Sequence, residues 1–394
     1  MVAASLLTSV ELFAGIGGFR LAADRAGIKT LWANDIDAQA CSVYRSHFPD
    51  STLLQGDVHD VLATVPPHSL LTAGFPCQPF SAAGKKEGVR DPRGTLFHTI
   101  VLILRRCRPE YFILENVKRL LTMESGAHFS TILAALVALD YDVEWRLLNA
   151  ADFGLAQNRE RVVILGTRSS ADDGVARPFR VQPRLLCPGD LETAFDSLQG
   201  LLSEPASWTR IERHGRRFPH WGLASRGHFF AANPVAFSQA QPRSLLRTVL
   251  ETSTSPEFDF TEATLARLHE NTPVDRFVSG VEILSNQGGG ARMGYTIFGI
   301  DGLAPTLTAT TSRHYERYRV GERYRRLTNV EYARLQGFPD QYCSAVPVYD
   351  QYRLLGNAVP PPLVSWVLGR LDVRPELPSR LNRPVQRNLF EATR

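Results

Sequence analysis

The stretch Val10-Glu11-Leu12-Phe13-Ala14-Gly15-Ile16-Gly17-Gly18-Phe19-Arg20 decides the fold of this chain. A short apolar run, Val10–Phe13, reads as a strand. A glycine turn follows, and a helix is expected from Phe19 to Ala26. Glycines at such a turn let the backbone reverse sharply and let a ligand come close to it. Further on, strands are expected at Thr30–Ala33, Thr52–Leu54, Leu70–Ala73, Tyr111–Leu114, Val143–Leu148 and Val162–Leu165. Helices are expected at Ala38–His47, Thr95–Cys107 and Phe129–Leu139. Strands alternating with helices predict an α/β fold, a mostly parallel sheet covered on both faces.

The alternation stops after about Thr167, where Pro178, Pro183, Pro188 and Pro205 interrupt the chain. We expect three segments: 1–184 as the main domain, 185–345 as a smaller, irregular module, and 346–394 returning to the first. A helical stretch reappears at Asn329–Gly337, and Pro360-Pro361-Pro362 opens an apolar helix over Leu363–Leu371. The tail after Asp372 is rich in proline and arginine, a composition suited to loose order.

The chain has 394 residues, 44% of them hydrophobic, enough for a large core. Of 44 basic residues only Lys29, Lys85, Lys86 and Lys118 are lysines. Arginine makes forked contacts to phosphate and guanine, though a GC-rich genome explains the same excess. The formal charge of +4 does not decide for or against a polyanionic partner. The five cysteines form no CxxC pair and no zinc-ligand spacing, so no metal is expected. No apolar run approaches the length of a membrane span, and no leader precedes Val10, so a cytoplasmic protein without membrane contact is expected.

Several acids and one cysteine stand at strand ends, where open α/β sheets bind ligands. Asp35 closes the second strand and is placed to take both hydroxyls of a ribose. Asp57, after the third, is placed to accept from an adenine amine. Each also fits a helix N-cap. Cys77 lies in Phe75-Pro76-Cys77-Gln78-Pro79-Phe80-Ser81. The flanking prolines stiffen the backbone, which suits a nucleophile that must meet one atom. Core filler is the alternative for a lone cysteine. Glu115, behind the apolar run Tyr111–Leu114, sits where a carboxyl tends to stay protonated; a helix-start carboxylate is the other reading. Arg159 and Arg161 alternate along an extended segment and so share a face, over the same pocket or paired with Glu160 at the surface.

Taken in order, Phe13-Ala14-Gly15-x-Gly17-Gly18, Pro76-Cys77-Gln78, Glu115-Asn116-Val117, Gln157-x-Arg159-x-Arg161, Arg334-Leu335-Gln336-Gly337-Phe338-Pro339 and Gly356-Asn357-Ala358-Val359 resemble the DNA (cytosine-5)-methyltransferases, over about residues 8–371. The resemblance implies a Rossmann-like methyltransferase fold and a target-recognition domain between the Arg161 and Arg334 motifs. It implies S-adenosyl-L-methionine as donor and S-adenosyl-L-homocysteine as product. Cofactor contacts are expected from Phe13, Gly15, Ile16, Gly17, Gly18, Asp35, Ile36, Asp57, Val58, Pro76, Leu96, Asn357 and Ala358. Three positions depart from common family forms: Ile36 stands where an aromatic often stacks on adenine, Asp35 replaces a frequent Glu, and Ala358 a frequent Ser.

In this reading Cys77 adds to C6 of cytosine, Glu115 binds N3, Arg161 binds O2, and Arg159 supports Glu115 or the DNA backbone. A target base must be flipped out of the duplex to be reached. The glycine-hinged, basic stretch 78–96 is expected to close over it, with Gln78, Ser81, Lys85, Lys86 and Arg93 near the DNA. Thr306 and Arg313 are expected DNA contacts from the recognition module, the Thr306-Leu307 pair beside the flipped nucleotide. Double-stranded DNA is the expected partner, and a cognate restriction endonuclease the expected functional counterpart, without a stable complex. The protein is expected to be bacterial and to act as a monomer. The competing readings are a tRNA cytosine methyltransferase, a catalytically silent DNA-binding relative, and a nucleotide-binding oxidoreductase. The last leaves Cys77 and the Arg334 motif without a purpose.

Overall fold

The structure is a computed structural model of the chain, described here for residues 7–50, 52–76, 92–169, 183–192, 195–268, 271–286, 296–309 and 316–371. Among these residues, β1 (Thr8–Leu12), β2 (Lys29–Asp35), β3 (Leu53–Gln55), β4 (Leu70–Gly74), β5 (Tyr111–Val117), β6 (Tyr141–Asn149), β7 (Glu160–Arg168), β8 (Thr209–Arg210), β9 (Trp221–Ser225) and β10 (His228–Ala232) form one sheet. Its order is β3-β2-β1-β4-β5-β7-β6-β9-β10-β8. From β3 to β5 all neighbours are parallel. From β5 onward every pairing is antiparallel.

Helices cover both faces. They are α1 (Gly18–Arg25), α2 (Ala38–His47), α3 (Val58–Val61), α4 (Pro92–Cys107), α5 (Ala127–Val137), α6 (Phe195–Ser203), α7 (Glu262–Leu268), α8 (Asn329–Gln336), α9 (Val348–Asn357) and α10 (Pro361–Leu368). The strand pleat sends alternate residues to opposite faces. Phe112 and Leu114 join Ile100 and Leu104 of α4 and Phe129 and Leu133 of α5 in one core cluster. Tyr111 and Ile113 join Phe19 of α1 and Val364 and Val367 of α10 in another. Burial on both sides explains why these strands are continuous apolar runs.

A second sheet of five strands has the order β11 (Thr272–Val278), β12 (Val281–Asn286), β13 (Thr296–Phe298), β14 (Arg317–Val320), β15 (Arg323–Arg325). The expected break at residue 185 does not mark the end of the large sheet. β9 pairs along β6, from Val143 to Arg146, and carries β10 and β8 with it. The backbone groups on that side of β6 require partners, and a segment distant in sequence supplies them. Nor does packing stop at residue 345. Tyr332 of α8 meets Tyr352 of α9 edge-on at 4.7 Å, and Asn329 donates to Gln351 at 2.8 Å.

Candidate active site

The chain runs from β1 outward to β2 and β3, then returns to place β4 on the other side of β1. The C-terminal ends of β1 and β4 therefore diverge, and a crevice opens between them. A cleft of about 340 Å³ lies there. Its walls come from the turn after β1 (Phe13, Gly15, Ile16, Gly18), the end of β2 (Asp35, Asp37) and the end of β4 (Gly74, Phe75, Pro76). Glu115, Arg159 and Arg161 line it from β5 and β7, and Arg353 and Gly356–Val359 from the C-terminal region.

The turn takes its shape from positive φ angles at Phe13 (53°), Gly15 (56°) and Gly17 (86°). Phe13 pays conformational strain that a glycine would not. The space beside Gly15 is open. Gly18 is a close approach of two segments: a Cβ there would lie 2.3 Å from the carbonyl oxygen of Val359. Asp35 holds the turn from below, its Oδ2 accepting from Gly15 N at 2.7 Å and its Oδ1 from Asp37 N at 2.8 Å. Burial pushes its carboxyl above the usual range. A carboxylate has about four acceptor positions, so room for ribose hydroxyls remains. An open glycine turn with a carboxylate at the next strand end fits an adenosine-containing cofactor.

On the other side, Glu115 lies within β5 rather than after it, because β7 extends the pairing through Val117. Arg161 Nε donates to Glu115 Oε1 at 2.8 Å, with both side chains nearly buried. Burial holds the Arg161 guanidinium below its usual range, and the Glu115 charge opposes that shift. Arg159 is 1% exposed, and burial brings it down to about 9. Its Nη2 donates to Gly356 O and Ala358 O, each at 3.0 Å, while Nε and Nη1 have no partner among the described residues. Support of Glu115 is thus not a direct hydrogen bond from Arg159. Arg159 ties β7 to the C-terminal motif and keeps two buried donors available, a costly state unless a ligand meets them.

Other expected site residues sit elsewhere. Asp57 caps α3, accepting from His59 N at 2.9 Å, and Val58 is buried. Neither lines the cleft, nor do Gly17, Ile36, Leu96 or Thr306. A Cβ on Gly17 would meet Phe48 and Tyr44, so that glycine serves packing. Ile36 is 70% exposed, a large apolar side chain open to solvent next to Asp35. Leu96 packs against the main core. Thr306 donates to Asn158 O at 2.7 Å, which sets the Thr306-Leu307 segment beside Arg159 and Arg161. Asn357 and Ala358 do line the cleft. Cys77, Gln78, Ser81, Lys85, Lys86 and Arg313 lie outside the described residues, as does the side chain of Arg93 in α4.

Three contributors were not singled out from sequence. Asn116 donates to Phe75 O at 2.9 Å, tying β5 to the residue before Pro76; its place in the Glu115-Asn116-Val117 triplet was the available signal. Asp37 carries only the signal of an N-cap ahead of α2, and Arg353 none, since the two meet only in the folded chain.

The C-5 cytosine-specific DNA methylase family matches residues 7–213 and 234–372, and the chain belongs to that family. It is a DNA (cytosine-5) methyltransferase. Among its relatives, the type II methyltransferase M.HaeII of Haemophilus aegyptius is 30% identical over 364 residues, 92% of each chain. M.HpaII of Haemophilus parainfluenzae is 33% identical over 370 residues, 91% of this chain and 87% of that one. In three dimensions the chain is similar to a mutant of Spodoptera frugiperda DNMT2, with a TM-score of 0.61 at 18% identity, covering 92% of this chain and 99% of that one. S. pombe Dnmt2 gives 0.57 at 20% identity, covering 92% and 96%. These two likenesses speak for the fold.

Proposed function

We propose that the protein methylates C5 of cytosine within a specific double-stranded DNA sequence, using S-adenosyl-L-methionine and a covalent bond between Cys77 and the base. One observation carries the reading: a single cleft holds the Gly15/Asp35 turn at one end and the Glu115–Arg161 pair at the other. Pro76, the chain neighbour of Cys77, lines the same cleft.

Cytosine C5 is a weak nucleophile. The Cys77 thiolate adds to C6, forming an S–C6 bond and pushing the electron pair towards C5 and the N3/O2 side. Glu115 hydrogen-bonds the N3 edge and Arg161 donates to O2, so charge is stabilised where it develops. The Arg161 contact with Glu115 is exchanged in part for contacts to the base. Bound S-adenosyl-L-methionine supplies an electrophilic methyl to C5. A water-derived base then takes the C5 proton, its electron pair re-forms the C5–C6 double bond as the S–C6 bond breaks, and Cys77 leaves as thiolate. Gly15, Phe13 and Asp35 bind the adenosine part, and the exposed Ile36 side chain gives an apolar surface for adenine.

Flipping the base out of the duplex costs a few kcal/mol, offset by protein contacts. The recognition role falls to the β11–β15 module and to Thr306-Leu307. The stretch 78–96 closes over the base, bringing Ser81, Lys85, Lys86 and Arg93 to the DNA, and Arg313 contacts it from the recognition side. The enzyme acts as a monomer and, like relatives named type II methyltransferases, protects DNA from a restriction endonuclease.

DNA carrying 5-fluorocytosine at the target tests this directly. Fluorine at C5 does not leave as the proton does, so a covalent adduct at Cys77 is expected in the presence of cofactor. Cys77→Ser should form no adduct and transfer no methyl group. Normal turnover by that variant, or no adduct with active enzyme, overturns the mechanism. Bisulfite-type sequencing of DNA from expressing cells supplies the target, and activity on tRNA alone would overturn the substrate.

A further inference from the structure

Arg353, on α9, reaches across the mouth of the cleft to the turn that follows β2. Its Nη1 donates to Asp37 Oδ2, and its Nη2 donates to Gln39 Oε1 at 2.7 Å. Asp37 is anchored a second time as the N-cap of α2, its Oδ1 accepting from Gln39 N at 2.9 Å and Ala40 N at 3.1 Å. The backbone amide of Asp37 donates in turn to Asp35 Oδ1 at 2.8 Å, and Asp35 Oδ2 receives Gly15 N at 2.7 Å. Arg353, Asp37, Asp35 and Gly15 all line the cleft. They form one continuous chain of hydrogen bonds from a C-terminal helix to the glycine turn. No step of the proposed chemistry uses Arg353.

We propose that Arg353 is a positioning residue for the cofactor. Through Asp37 it fixes the Asp35 carboxylate and the Gly15 backbone, so that cofactor affinity depends on α9. Asp35 stands at the end of a strand, its carboxylate held between the Gly15 amide and the turn that follows. Without Arg353 the Asp37 carboxylate keeps its α2 capping bonds but loses its tie to the C-terminal helix. A carboxylate that must meet two hydroxyls loses affinity when it has to be ordered at the moment of binding. The capping bonds hold only Oδ1 of Asp37; the charge-assisted contact from the forked guanidinium fixes Oδ2 and so the plane of the carboxylate. Arg159 donates to the carbonyls of Gly356, in the last turn of the same helix, and of Ala358, just past its end. α9 is thus in contact with both ends of the cleft.

The inference rests on the proposed use of S-adenosyl-L-methionine, and its test separates the two. Calorimetric titration with S-adenosyl-L-homocysteine should show binding to the wild-type chain. Arg353→Met should weaken that binding about three- to tenfold, with the Michaelis constant for S-adenosyl-L-methionine rising in step and kcat changing less. Asp37→Asn keeps a good helix cap but loses the charge, and should weaken binding to a similar extent. The two losses should not add, and Arg353→Met should change affinity less than about twofold in an Asp35→Asn background. Additive losses, or unchanged affinity in Arg353→Met, overturn the proposal. So does a lowered melting temperature with unaltered affinity, which would make the contact merely structural. A wild-type chain that binds no S-adenosyl compound would instead overturn the cofactor assignment.

Discussion

Glu11 lies in the middle of β1, just ahead of the glycine turn, and is buried in a sheet core. It accepts from the Tyr44 hydroxyl at 3.0 Å, while its other oxygen has no hydrogen-bond partner among the described residues. Burial pushes its carboxyl from an ordinary 4.5 up to about 8. The folded chain therefore keeps a proton that the unfolded chain has already released across that interval. Stability from this group is full below the unfolded value, falls as pH rises through the interval, and reaches its lowest level above about 8. Glutamine has no such proton. Glu11→Gln should show a flatter dependence of the urea midpoint between pH 5 and 8.5, and gain on the wild type at the alkaline end. Midpoints that move in parallel would count against a buried, proton-holding Glu11. At this scale the sequence was informative where chemistry is local. Asp35 and Glu115 stand at the ends of apolar runs, Arg161 stands just ahead of one, and the three meet at the cleft. Asp57 follows the same pattern and caps α3, because a carboxylate at the N-terminus of a helix satisfies backbone amides.

Elements were legible to within a few residues wherever periodicity was strong. The helix expected over Ala38–His47 has those bounds. β1 stops at Leu12, one residue earlier than expected, because Phe13 has already turned to positive φ. β5 is longer than its apolar run, since pairing with β7 continues through polar residues once the backbone is in register. The junction of α1 with the C-terminal motif was not legible, as it is an approach of two backbones. Gly18→Ala would force α1 away from the Val359 carbonyl, which lies too near for a methyl group. We expect a loss of about 1–3 kcal/mol in denaturant unfolding, together with weaker cofactor binding because Gly18 lines the cleft. Unchanged stability would mean that the two segments are not held at this separation.

Across the whole molecule, the Thr306-Leu307 segment is joined to α8 and to the segment that leads into β7 by a buried amide. Gln157 donates to Leu335 O at 3.1 Å and Gln336 Oε1 at 3.2 Å, and accepts from Leu307 N at 3.2 Å. Gln336 donates onward to Leu355 O. Three remote segments thus meet at one side chain. Gln157→Ala would leave the Leu307 amide without that partner in a site closed to water. A cost of about 1–3 kcal/mol is expected in chemical unfolding, with a raised Michaelis constant for DNA from the loosened Thr306-Leu307 segment. An unfolding midpoint equal to the wild type's would show that the amide joins nothing of consequence.

The residues by themselves determined the α/β character, the strands that carry the site, and the family chemistry, because each depends on local periodicity and on short motifs whose spacing survives unfolding. The tertiary structure alone decided that β8–β10 complete the large sheet, that Arg159 binds the Gly356 and Ala358 carbonyls, and that Arg353 reaches Asp37. Those contacts join segments far apart in the chain. Their partners are set by which backbone groups and charges remain unsatisfied once the sheet has formed, and no local pattern encodes that.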